Sequence, residues 1–140
     1  MPAVEPFSLR RFFWPCFALT ACYSLLLVWA THYPKPENIL GPNAPPDKAL
    51  HFLAYGLLGL LMAATLAASR HWSRRNALLL AVALAVAAIA DESTQPFFGR
   101  AAEALDWVFD VIGIVGGIGA MAVADRLLGR SWPSGNNEPQ

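Results

Sequence analysis

Four stretches without a charged residue dominate this chain. Residues 12–30 run uncharged for 19 positions, 52–69 for 18, 76–90 for 15 and 111–124 for 14. A bilayer's hydrocarbon core is about 30 Å thick and a helix rises about 1.5 Å per residue, so a span needs about 20 mostly apolar residues. The first two runs come close to that length. The last two reach it only by taking in Asp91 and Asp110. Hydrocarbon offers no water to an open backbone, which restricts spanning segments to helices or closed barrels. The expected fold is all-α: a four-helix transmembrane bundle.

Composition agrees, with 56% hydrophobic and 14% charged residues, where a soluble domain carries about 25% charged. The formal net charge is zero, so no basic field points to nucleic acid and no nucleic-acid partner is expected. The expected partners are membrane lipids, and an oligomer is possible. Residues 1–11 read as a cytoplasmic N-terminal segment, 12–128 as the membrane domain and 129–140 as a flexible cytoplasmic tail. The first run is long for a signal peptide and has no evident A-x-A cleavage site. Arg10 and Arg11 before it read as topology determinants rather than a twin-arginine signal. Cys16 and Cys22 stand six apart, on different helix faces and outside any C-x-x-C pattern, so buried apolar thiols are expected and a disulfide is not.

The basic residues orient the spans. Arg10, Arg11, Arg70, Arg74, Arg75, Arg126 and Arg130 flank one side; Lys35, Lys48 and Arg100 flank the other. The positive-inside rule puts the richer side, with both termini, in the cytoplasm. The 31–48 connection holds five prolines and is expected to be an extended outer loop. The short 70–75 connection is expected to make the second and third spans antiparallel neighbours.

Ionisable residues then gather at one depth. Asp91 lies 16 residues from Arg75, and Asp110 lies 16 from Arg126, about 24 Å in each case. His51 lies 19 residues from Arg70, about 28 Å. Three helices thus carry polar groups to a level near the outer interface, where such groups must face the bundle, pair or meet water. Glu103, Asp106, Asp110, Gly113 and Gly117 recur at steps of three and four, a single stripe along the last helix. Its glycines allow a neighbouring helix to approach closely. Lys48, His51, Tyr55 and Gly59 share a face of the second helix, and Asp91 and Gln95 stand one turn apart on the third. Arg100 is the one base in the acid-rich link between helices three and four, and its fork suits a carboxylate or phosphate.

Taken together, these residues resemble the VanZ-like family of small bacterial membrane proteins. `DKALHFLAYGLLGLL` at 47–61 is similar to the family's D-K-x-x-H-F followed by an aromatic and small residues. `DESTQPFFGR` at 91–100 resembles its D-E-x-x-Q segment followed by an arginine, and `DWVFDVIG` at 106–113 resembles D-x-x-x-N-x-x-G. Asp110 stands where the family commonly has Asn, which adds an ionisable group. The resemblance implies a multi-pass protein of the bacterial cytoplasmic membrane, concerned with the cell envelope. The family is named for a protein associated with resistance to the glycopeptide antibiotic teicoplanin.

Three functions are compatible with the polar layer. The first is an outward-facing binding site for an envelope lipid, a lipid-linked headgroup or a glycopeptide, using Lys48, His51, Glu92, Gln95, Arg100, Asp106 and Asp110. The second is catalysis, with His51, Asp91 and Asp106 as candidates and a His–carboxylate pair as general base. The third is an ion-paired cap that fixes helix register. No Ser or Cys nucleophile motif accompanies the cluster. His51 and the carboxylates lack H-x-x-x-H or H-E-x-x-H spacing, so neither a metal nor another cofactor is expected.

Overall fold

The computed structural model describes residues 12–34, 40–41 and 45–127. Expectations for 1–11, for the 129–140 tail and for residues 35–39 and 42–44 of the 31–48 loop lie outside the described residues. Helices form at α1 (Phe13–Thr31), α2 (Asp47–Ala68), α3 (Arg74–Thr94) and α4 (Ala104–Leu127), with a 3₁₀ turn at Gln95–Phe98. No strand occurs among the described residues. All four α-helices are long and apolar enough to cross a membrane. Helices α3 and α4 reach that length by running through Asp91 and Asp110, as the run lengths require.

The outward faces carry Leu25, Leu53, Leu78, Val86 and Val115 exposed, an apolar exterior suited to lipid rather than water. The fold fits a multi-pass membrane protein. Pro15 falls in the first turn of α1, where its missing N–H breaks no helical bond. Both cysteines are free thiols, and neither is buried as expected: Cys16 is half-buried and Cys22 is exposed on the outside of α1.

Helix α4 is the centre of the bundle. It packs along most of α2 and against α3, while α1 lies on α2. Glycine explains the closeness of α2 and α4. A Cβ on Gly117 would run into the Gly56 carbonyl oxygen, and one on Gly113 into that of Phe52. Gly59 answers from the other side, where a Cβ would stand 2.7 Å from the Ile114 carbonyl oxygen. The apolar interior above and below includes Leu58, Ala63, Ala88, Ile114 and Ile118.

Polar latches hold the remaining helices. Thr20 and Thr65 hydroxyls meet at 2.9 Å, Tyr23 Oη donates to the Ala54 carbonyl at 2.9 Å, and Trp107 Nε1 donates to the Ala85 carbonyl at 3.0 Å. Helix α2 ends in a left-handed residue, Arg70, at φ 66°. His71 N then donates to Leu66 O and Arg70 N to Ala67 O, the paired bonds of a Schellman ending. Ser73 caps α3 by accepting from Asn76 N at 3.1 Å. This tight link makes α2 and α3 antiparallel, but they touch only slightly. The principal partner of each is α4, whose glycines face α2.

Candidate functional site

The polar residues converge where the C-termini of α1 and α3 meet the N-termini of α2 and α4. His51 is the hub. On α2 it stands one turn above Tyr55 and is 6% exposed. Its Nδ1 lies 2.9 Å from Asp110 Oδ1 and 3.7 Å from Glu92 Oε1. Its Nε2 faces Asp47 Oδ2 at 4.0 Å, one helical turn back on its own helix. Asp106, a turn before Asp110 on α4, completes a second group with Asp47 and His51. The acidic stripe on α4 therefore does face inward: Asp106 and Asp110 are buried, while Glu103 at its start is exposed.

Lys48 and Arg100, the fixed cations described at this end, each face an acid. Lys48 Nζ stands 3.1 Å from Glu103 Oε2 and 3.7 Å from Asp106 Oδ1. Arg100 Nη2 lies 3.4 Å from Asp47 Oδ1. Local backbone puts Arg100 there. The 3₁₀ turn ends at Gly99, whose φ of 79° is left-handed. Gly99 N then donates to Pro96 O and Arg100 N to Gln95 O, which turns the chain back over the bundle. A side chain at Gly99 would be strained in that conformation.

Buried acceptors outnumber donors. Gln95 Nε2 donates to Glu92 Oε1 at 3.0 Å. Glu92 Oε2, Gln95 Oε1, Asp106 Oδ1 and Asp110 Oδ2 are all buried and accept no hydrogen bond from any described residue. Such groups cost free energy in a low-dielectric interior unless something else meets them.

Lys48 stands in salt-bridge range of Asp106, a buried carboxylate at this level. Asp91, on the same level, has other partners. It accepts from Thr31 Oγ1 at 2.9 Å and stands 3.6 Å from His32 Nδ1, so it ties α3 to α1. Gln95 bonds Glu92 rather than sharing a site with Asp91, because the helix tightens to 3₁₀ at that point. Arg100 reaches the His51 group only through Asp47. The chain thus gathers Lys48, His51, Glu92, Gln95, Asp106 and Asp110, holds Arg100 at the rim, and sends Asp91 to the α1 side.

Sequence reasoning missed three participants. Asp47 stands beside Lys48 in the motif and one turn before His51, whose Nε2 it faces. His32 lies just past the first apolar run; its Nε2 is 2.8 Å from Thr94 Oγ1 and its ring meets Phe98 edge-on at 4.8 Å. Gly99 follows Pro96 and two aromatics, a turn signal legible in principle.

A cavity of about 230 Å³ opens beside this cluster, between the C-terminus of α1 and the N-terminus of α2. Its walls are apolar, with Leu27, Trp29, Leu50 and Ala54 among them, and Asp47, His51 and Arg100 supply polar groups. Compared with known proteins, the chain matches no family model, no curated protein and no solved structure.

Proposed function

We propose that this chain is a VanZ-like protein of the bacterial cytoplasmic membrane, with both termini in the cytoplasm, that binds the headgroup of an envelope lipid or lipid-linked glycan at its outer end. One observation carries the reading: the cavity joins an apolar wall of Leu27, Trp29 and Leu50 to a polar end of Asp47, His51 and Arg100. Ligand sites commonly combine apolar walls with a few convergent polar groups. An acyl or isoprenoid chain follows the wall, and the headgroup meets the polar end. Asp47 is half exposed and its contact with Arg100 is long, so that pair is weak and open to exchange. Arg100 then takes a phosphate or carboxylate, and Asp47 takes a hydroxyl or ammonium group. The seven-to-three division of basic residues supports the orientation.

Native mass spectrometry of gently extracted protein tests the reading. A lipid-sized adduct is expected on the wild type, lost in Arg100→Ala and kept in Arg126→Ala. In cells, His51→Ala and Arg100→Ala are expected to abolish any lipoglycopeptide-susceptibility phenotype, with Lys35→Ala silent. Adducts equally abundant in all variants would overturn it.

A second reading rests on the His51 ring. It lines the cavity with the Asp110 carboxylate 2.9 Å behind it, the arrangement of an oriented general base. The reaction class is proton abstraction from a hydroxyl or water on a lipid-linked substrate. Turnover of the co-purified lipid by the wild type, absent in His51→Gln that still binds it, separates catalysis from binding alone.

A further inference from the structure

We propose that His51, Glu92 and Asp110 form a site for a divalent transition-metal ion of the Zn²⁺ or Mn²⁺ class, buried behind the cavity. The inference is independent of the lipid reading. Donor atoms of these three residues lie within 4.8 Å of one another, and all three side chains are buried. The contacts have the right scale. Two donors held about 2.1 Å from one ion lie about 3.0–3.4 Å apart across tetrahedral or octahedral angles. His51 Nδ1 stands 2.9 Å from Asp110 Oδ1 and 3.7 Å from Glu92 Oε1, one contact just below that span and one just above it.

Unmet acceptors are the second observation. Asp110 is fully buried and Glu92 is 7% exposed. Asp110 Oδ2 and Glu92 Oε2 each accept no hydrogen bond from any described residue. Lys48 is engaged by Glu103 and Asp106, and Arg100 by Asp47. Among the described residues no fixed cation stands in salt-bridge range of Glu92 or Asp110. Two carboxylates in a low-dielectric bundle call for compensating positive charge, and a dication supplies it in one step.

The surroundings are those of a supported ligand set. A metal-bound imidazole presents its other ring nitrogen to a carboxylate, and second-shell partners hold ligating carboxylates in place. Asp47 faces His51 Nε2, and Gln95 Nε2 orients Glu92. The neighbouring Asp47–His51–Asp106 group is the weaker candidate, since Arg100 and Lys48 already stand against its carboxylates. One imidazole with two carboxylates favours Zn²⁺ or Mn²⁺ over Mg²⁺ or Ca²⁺, which prefer oxygen alone. The cavity at His51 gives an ion its way in.

The full chain, purified in detergent and stripped with chelator, is titrated with Zn²⁺ and with Mn²⁺, and bound metal is counted by mass spectrometry. A single ion per chain is expected, with a raised melting temperature and no displacement by millimolar Mg²⁺. Pulsed electron paramagnetic resonance of the Mn²⁺ form should show coupling to an imidazole nitrogen. Asp110→Asn and Glu92→Gln are each expected to weaken binding at least tenfold, while Asp125→Asn, a buried acid at the other end of α4, keeps wild-type affinity. If Asp110→Asn does not fold, Glu92→Gln and the nitrogen coupling decide. No stoichiometric uptake by the wild type, no nitrogen coupling, or full uptake by Glu92→Gln overturns the proposal.

Discussion

At the scale of single residues, the His51–Asp110 contact joins two buried side chains, and its loss has a definite sign. His51→Ala leaves a fully buried carboxylate with no partner, which costs about 1–3 kcal/mol. The melting temperature in detergent should fall, and by more than in His71→Ala, whose ring is exposed at the opposite end. Equal melting of the two variants would refute a central role for His51. Asp91 gives a second, separable prediction. Since it accepts from Thr31 and stands beside His32, Asp91→Ala frees the end of α1 without stranding Lys48 or Arg100. We expect faster hydrogen exchange confined to residues near Thr31, with the α2–α4 contact unchanged; exchange increasing throughout α4 would contradict this. Helical spacing in the sequence did show which polar residues share a face, and it brought out His51, Asp106 and Asp110. It did not show that Asp47 answers both His51 and Arg100, because that contact depends on where the Gly99 turn returns the chain.

At the scale of elements, the α2–α4 contact is a backbone-to-backbone approach. Gly113→Leu and Gly117→Leu should each destabilise the fold by about 1–3 kcal/mol or more, as overpacking does. Gly119→Leu should be tolerated, since a Cβ there meets nothing within 4 Å. Thermal unfolding of the three variants in one detergent checks this, and similar melting at all three sites would mean that the contact face is misassigned. The facing residues on α2 were only half legible. Gly59 lies on the face of Lys48, His51 and Tyr55, but Gly56 lies off that spacing. Its partnership with Gly113 and Gly117 follows from the crossing of the two helices, which neither sequence alone encodes. Gly99 is the element-level counterpart. Gly99→Val should strain the turn, displace Arg100 from Asp47 and reduce lipid retention, while α3 and α4 stay helical by circular dichroism.

At the scale of the whole molecule, an apolar exterior surrounds a polar end that four separate helix termini assemble. Reporter fusions after Arg74 and at the C-terminus should read cytoplasmic, and a fusion within 36–44 external. An external C-terminus would reverse the bundle and place the cavity on the cytoplasmic side. The number, length and type of the helices were legible in the sequence, because hydrocarbon imposes them through run length and backbone hydrogen bonding. The depth of the polar layer was legible for the same reason, since rise per residue converts spacing directly into height. Azimuth was not. Which acid meets which base depends on helix crossings and on two turns, and these are set by glycine contacts between segments more than 50 residues apart. Tertiary structure alone therefore decided that Arg100 stands on Asp47, that Asp91 belongs to α1, and that Glu92 and Asp110 are left facing one imidazole. Height along a helix is a local property of the chain, whereas the direction a side chain faces in a bundle is a property of its neighbours.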